Sequence, residues 1–265
     1  MRQAAHTDLL DLLPLPLSAL RDARLEALYA GAFSHFNPVQ SQMFFTAYST
    51  DANVLLGAPT GSGKTVAAEL ALFRLFAAHA GLKAVYIAPL KALVAERLRD
   101  WQRKLGQGLG RRVVELTGDV TPDARALRES DVIITTPEKW DGITRGWRTR
   151  NYARSVGLVI IDEVHLLGEE RGPVLEVIVS RMRYIAAKTG QPIRFMGLST
   201  ALANAGDLAG WLGVEDVGLF NFRPAVRPIP MEVHVQGFPG AHYCACGTRA
   251  RARARTLNPA STNLA

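Results

Sequence analysis

The sequence predicts an α/β fold, a mostly parallel sheet with helices on both faces. Short apolar runs alternate with amphipathic stretches from about residue 53 to 213. The runs are apolar along nearly their whole length, as strands covered on both faces must be. Each ends in a polar or glycine-containing turn before a helical pattern begins, which punctuates repeated strand–helix units. A chain of 265 residues can bury one substantial core with extensions.

The predicted strands are 53–57, 84–88, 113–117, 131–135, 156–162 and 193–199. A helix from about Thr65 places Val66, Leu70, Phe73 and Ala77 on one face. Another from about Pro173 places Val174, Ile178, Arg181 or Met182, and Ile185 in the same way. Residues 1–30 read as a proline-rich leader with a short helix near 19–30, and 31–222 as the α/β domain. The segment 223–244 reads as a linker. Runs 218–222 and 231–235 look like strands on either side of Arg223-Pro224 and Pro228-Ile229-Pro230. Residues 245–265, arginine–alanine alternation followed by a polar featureless end, are expected to be disordered.

The leucine-rich start is interrupted by Asp8, Asp11, Pro14 and Pro16, which excludes a secretory signal or a membrane span there. No membrane partner is expected. The net charge of +7 suggests nucleic acid, yet the tail arginines Arg249, Arg251, Arg253 and Arg255 supply four of those charges. The rest is only mildly basic, so charge alone says little about partners. Cys244 and Cys246, in a C-x-C, strain a disulfide and make only half a metal site. They read as reduced thiols.

The strand 53–57 runs into Ala58-Pro59-Thr60-Gly61-Ser62-Gly63-Lys64-Thr65 and directly into a helix. That spacing makes a phosphate-binding loop, with Ala58 where glycine is commonest. Gly61 and Gly63 let the backbone turn tightly and aim N–H groups inward, and the helix N-terminus adds partial positive charge. Lys64 is expected to reach the β- and γ-phosphates of ATP, and the Thr65 hydroxyl to coordinate Mg²⁺. The strand 156–162 delivers the adjacent carboxylates Asp162 and Glu163 at its C-terminal end. Asp162 can hold Mg²⁺ and Glu163 can orient and polarise an attacking water. Alone, such a pair is more often a helix cap; with the upstream loop it completes a phosphoryl-transfer site. His165 beside it reads as a sensor of phosphate state. Upstream, Asn37-Pro38 suits a helix start with Asn37 as N-cap. In a second reading Gln40 pairs with adenine while Phe36 packs near the base. Residue chemistry leaves both open.

Loops after other strands supply candidate contacts to nucleic acid, DNA or RNA. They are Pro89, Leu90 and Lys91; Thr117 and Gly118, followed by Asp119; and Thr136 with Pro137. Hydroxyls, a lysine and free N–H groups at helix starts suit backbone phosphates, although each loop alone reads equally as a helix cap. Trp140 reads as a core residue rather than a base-stacking one. Ser199 and Thr200, after the last strand, are candidate relays between the ATP and nucleic-acid sides.

Taken in order, Phe36–Gln40, Ala58–Thr65, 88–93, 117–119, 135–141, Asp162–His165 and 199–201 resemble the superfamily 2 DExH helicases of the Ski-type, tandem-cassette branch. The similarity spans roughly residues 9–244. It implies a RecA-like P-loop NTPase domain and ATP-dependent 3′–5′ unwinding of nucleic acid. It also implies partner subunits in a larger complex, roles in alkylation-damage repair and clearing stalled ribosomes, and a nuclear and cytosolic location. Family members continue into a second RecA-like domain that supplies arginine fingers. Here the resemblance stops near His242-Tyr243-Cys244, so the expected product is the first motor domain, truncated and weakly active or inactive alone. The alternatives are a non-hydrolysing fragment that binds nucleic acid or a protein partner, and a duplex translocase without strand separation.

Overall fold

The structure is a computed structural model that describes residues 6–168, 172–229, 231, 232, 234–236, 242, 243, 249 and 250. It divides into two units, Met1–Ile229 and Pro230–Ala265. The first contains strands β1 (Val54–Gly57), β2 (Lys83–Ile87), β3 (Val113–Leu116), β4 (Val132–Thr135), β5 (Val156–Ile161), β6 (Arg194–Ser199) and β7 (Leu219–Asn221). They form one sheet in the order β3-β4-β2-β5-β6-β1-β7, every pairing parallel. The helices are α1 (Ala23–Ala27), α2 (Pro38–Ser49), α3 (Lys64–Ala78), α4 (Lys91–Trp101), α5 (Ala124–Glu129), α6 (Pro137–Arg145), α7 (Asn151–Arg154), α8 (Gly172–Thr189) and α9 (Ala205–Leu212).

Alternation along each strand explains the layers. Val54 and Leu56, Ala84 and Tyr86, Leu158 and Ile160, Met196 and Leu198 point into one core with α2, α3 and α4. Leu55, Val85 and Ile87, Val159 and Ile161, and Phe195 point into the other, with α8 and α9. Successive strand side chains face opposite sides, so a run that is apolar throughout must be sandwiched. Both cores reach the strand ends, leaving the C-terminal edge as the place where loops are free to bind.

The sequence-based elements and the observed ones differ in instructive places. The expected helix near 19–30 is broken: a 3₁₀ turn covers Leu17–Leu20, Arg21 adopts φ 53°, and α1 starts afresh. The cause is Asp22, whose carboxylate accepts the Arg24 N–H at 2.9 Å and caps α1 from inside the predicted helix. The leader joins the domain core through buried Leu20 and Tyr29, and Thr7 bonds Asn221 of edge strand β7. Helix α3 is buried around most of its circumference rather than along one stripe, because α2 covers the side away from the sheet. After Trp101 the chain widens into a π-helical stretch, Gln102–Gln107, which periodicity alone did not announce.

In the second unit, Met231, Glu232, His234 and Val235 form no strand, contrary to the expectation for 231–235. His242–Tyr243 pairs antiparallel with Arg249–Ala250, so the two described residues of the tail are extended and paired. The remainder of 245–265, including Cys246, lies outside the described residues, as does Cys244. No helix among the described residues is long and apolar enough to cross a membrane.

Candidate functional site

The loop 58–63 joins β1 to α3 at the C-terminal edge of the sheet. Gly61 and Gly63 have φ of 83° and 85°, the left-handed region that glycine enters without steric cost. The loop is tied to the strand beside it by Ala58 N–H donating to Ser199 O at 3.0 Å. From α2, Asn37 Nδ2 donates to Ser62 O at 2.9 Å and Gln40 Nε2 to Gly63 O at 3.4 Å. Lys64 Nζ donates to Ala58 O at 2.9 Å, folding the ammonium back over the loop. Pro59 and Thr60 form its outer turn, and Thr65 follows in the first turn of α3.

The acidic pair ends β5, one strand removed from β1 across β6. Asp162 N–H donates to Ile87 O at 2.9 Å, its Oδ1 accepts the Glu163 N–H at 3.1 Å, and its Oδ2 accepts the Tyr86 hydroxyl. Burial lowers the Lys64 pKa from its usual value, while Glu163 and Asp162 pull it upward. Lysine and both carboxylates thus share one electrostatic neighbourhood at one sheet edge. Burial, then the charge of Asp162, pushes the Tyr86 phenol well above its usual range, keeping it a neutral donor.

Glu163 adopts φ 55°, a conformation costly for a residue with a Cβ and concentrated at working sites. Its Oε2 is buried without a hydrogen bond. His165 Nδ1 lies 3.3 Å from that oxygen, close enough for an ion pair but without hydrogen-bond geometry, and 3.3 Å from Ser199 Oγ. The structure therefore places His165 between the acidic pair and buried Ser199, with Thr200 next in the chain.

The structural reading of Gln40 is realised in full. Asn37 Oδ1 accepts the Gln40 N–H at 2.9 Å and Gln40 Oε1 accepts the Asn37 N–H at 3.0 Å, a capping box. With Oε1 and Nε2 both engaged, pairing with adenine requires these bonds to be exchanged. Phe36 does not line an open base site: it is 0% exposed, packed among Tyr29, Phe33 and Phe44.

The three candidate nucleic-acid loops lie together at the ends of β2, β3 and β4. Lys91 Nζ pairs with Asp119 Oδ2 at 2.6 Å, joining the 89–91 loop to the 117–119 loop. Lys139 Nζ donates to Thr121 Oγ1 at 2.8 Å, joining the latter to α6. Leu90 and Gly118 are exposed, whereas the side chains of Thr117, Thr136 and Pro137 are buried. Thr117 Oγ1 donates to Glu115 at 2.8 Å and accepts from Val120 N at 3.3 Å, so it shapes its loop from within. Thr136 precedes α6 without a side-chain cap bond. Trp140 is 0% exposed, the core position expected of it.

Sequence reasoning missed Tyr86, hidden in an apolar strand, and the grip of Asn37 on the loop. It also missed Arg227: a Cβ built on Gly61 would stand 3.5 Å from its nearest guanidinium nitrogen. The segment that carries this arginine reads as a spacer, and nothing in its pattern singles the residue out.

Residues 37–208 match the DEAD/DEAH box helicase family. The chain is 65% identical over 243 residues to human activating signal cointegrator 1 complex subunit 3, covering 92% of this chain and 11% of that protein. It is 62% identical over 242 residues to the Arabidopsis thaliana DExH-box ATP-dependent RNA helicase DExH14, covering 91% of this chain and 11% of that one. It thus spans about a tenth of the length of these curated relatives. Among solved structures, Mss116p bound to ssRNA and AMP-PNP superposes with a TM-score of 0.67 at 21% identity, over 82% of this chain and 47% of that one. The fold is therefore that of a RecA-like helicase domain. With the match extending over most of its length, the chain belongs to the DEAD/DEAH box helicase family.

Proposed function

We propose that the chain is the ATP-binding first motor domain, 31–222, of a nucleic-acid helicase, with 223–244 as the linker leaving it. The observation that carries this reading is the convergence of Lys64, Asp162 and Glu163 at one sheet edge. Buried polar atoms are almost always satisfied. Ser62 Oγ and Glu163 Oε2 are buried without hydrogen bonds, and both belong to the proposed phosphate site. A triphosphate offers acceptors to the Ser62 hydroxyl, and a water offers a donor to Glu163.

In this scheme Lys64 exchanges the Ala58 carbonyl for phosphate oxygens, whose charge favours its protonated form. The loop N–H groups and the start of α3 face the same anion. Thr65 and Asp162 would hold magnesium, which supplies charge neutralisation at the phosphates when bound. One hydroxyl and one carboxylate suit this ion, which retains waters and leans on phosphate oxygens. Glu163 orients and deprotonates the attacking water through Oε2, the oxygen that carries no hydrogen bond. His165, within reach of both Glu163 and Ser199, passes a change at that carboxylate toward Ser199 and Thr200.

The 89–91, 117–118 and 136–137 loops form the proposed nucleic-acid face, contacting backbone through exposed Leu90, Lys91 and Gly118, with Thr117, Thr136 and Pro137 shaping it. Mss116p, which shares this fold and binds both ssRNA and AMP-PNP, supports a division into a nucleotide side and a nucleic-acid side. Similarity to the cointegrator complex subunit supports work beside subunits of an activating-signal-cointegrator-like complex; the nucleus and cytosol, and DNA repair, are the setting proposed with it.

The test is nucleotide affinity with and without the lysine. A lost charge-assisted contact of ~1.5–3 kcal/mol predicts affinity lower by roughly 10- to 100-fold for Lys64→Ala. Equal affinity in the two proteins overturns the site assignment.

A further inference from the structure

We propose that Tyr86 is a positioning residue for Asp162, its hydroxyl fixing the orientation of the carboxylate that faces the phosphate loop. The inference rests on the reading of Asp162 as a magnesium-holding group.

Tyr86 sits in β2, paired with Ile160 of β5, so its ring runs beside the strand that ends at Asp162. It is 2% exposed, and its hydroxyl donates to Asp162 Oδ2. The other oxygen, Oδ1, accepts the Glu163 N–H at 3.1 Å. One donor on each oxygen fixes the plane of the carboxylate, and an ionised carboxylate offers about four lone-pair sites, so sites remain for a cation or its waters.

The ring is itself held. Trp101 of α4 packs edge-on against it, with centroids 5.0 Å apart and planes at 75°. The Arg97 guanidinium lies 5.8 Å from the Tyr86 ring centre and 5.5 Å from that of Trp101. Trp101 is anchored by Nε1 donating at 3.1 Å to Glu69 Oε1, and Glu69 is fully buried in the helix that starts at Lys64. The chain of contacts therefore closes on itself: phosphate-loop helix, Glu69, Trp101, Tyr86, Asp162. Phenylalanine would fill the same space between Val85 and Ile87. What the hydroxyl adds is a donor aimed at one carboxylate oxygen, and partners of this kind behind a metal-holding group typically contribute roughly 10- to 100-fold in metal affinity.

The experiment measures binding of a fluorescent, non-hydrolysable ATP analogue to the full chain, with saturating Mg²⁺ and with EDTA, and takes the ratio of the two affinities. Wild type, Tyr86→Phe and Asp162→Asn are compared, with thermal melts of the nucleotide-free proteins alongside. For Tyr86→Phe the magnesium enhancement is expected to fall about tenfold or more, while metal-free affinity stays within about twofold of wild type. An unchanged enhancement in Tyr86→Phe, with Asp162→Asn losing it, overturns the inference and leaves the site reading intact. An unchanged enhancement in Asp162→Asn overturns the site reading itself. Loss of both affinities in parallel with a lowered melting temperature assigns Tyr86 a purely structural role and also overturns it. If Tyr86→Phe does not fold, Trp101→Phe, which unties the ring from Glu69 but keeps the hydroxyl, is expected to lower the enhancement in the same direction. No change there counts against the proposal.

Discussion

Replacing Gly63 by alanine tests whether the phosphate loop is held by the helix behind it. Gly63 combines φ of 85° with a wall: a Cβ there would stand 2.0 Å from Gln40 Nε2, 3.0 Å from Gln40 Cδ and 3.3 Å from Asn37 Nδ2. The left-handed backbone costs an alanine ~1–2 kcal/mol. Gln40 must then swing away, losing its 3.4 Å bond to Gly63 O and its 3.0 Å bond from Asn37 N–H. Each such bond is worth ~0.5–1.5 kcal/mol net, so the total is roughly 3 kcal/mol. In a domain of this size that lowers the melting temperature by about 6–12 °C. Gly81→Ala is the control, because Gly81 has φ of 87° but nothing within 4 Å of its Cβ position. It should lose only the backbone share, ~1–2 kcal/mol. Denaturant melts of the two variants, read side by side, decide the matter. Equal losses would mean that Gln40 moves freely and that α2 does not brace the loop.

Two further perturbations probe the scaffold. Lys104→Met removes the cation from the fully buried Glu69 carboxylate, contacted at 2.8 Å, and should cost about 3 kcal/mol in urea unfolding; Glu69→Gln in the same chain should recover part of that loss. Arg74, and secondarily His79, hold the Asp51 carboxyl at about 2, down from 3.8. A depressed acid stabilises the folded state above its unfolded value, so wild type should exceed Asp51→Asn by less than about 1 kcal/mol for so exposed a pair. That margin should be constant above pH 3.8 and gone near pH 2; a margin that persists at pH 2 would contradict the assignment.

The sheet was legible because its strands are sandwiched. The run Val156–Ile161 is buried at every position, and such a run reads the same whichever way each side chain points. The partition of Leu158 and Ile160 from Val159 and Ile161 between two cores follows once the strand is placed. Legibility failed where a local polar contact competed with periodicity. Asp22 fits a helical pattern by spacing, yet its carboxylate caps the chain inside the expected helix and splits it. The π-helical stretch after Trp101 is tied to the fold by a contact that lies outside any local pattern. Lys104 is drawn to Glu69, 35 residues earlier, and no window of sequence contains both ends of that attraction.

The candidate site divides along the same line. The groups placed by one continuous segment, from Ala58 to Thr65 and from Asp162 to His165, could be named from spacing because a strand end and a helix start fix their neighbours locally. The groups that brace them come from afar: Asn37 reaches Ser62 across 25 residues and Tyr86 reaches Asp162 across 76. In a one-dimensional pattern Tyr86 counts only as an apolar position, since every heavy atom beyond its Cβ except the hydroxyl oxygen is ring carbon, and the ring satisfies the core. The hydroxyl is the informative atom, and its meaning appears only when the neighbouring strand is known. A polar tip near the C-terminal end of an inner strand, beside an acid-ended strand, is a signal that reading strands in pairs would recover.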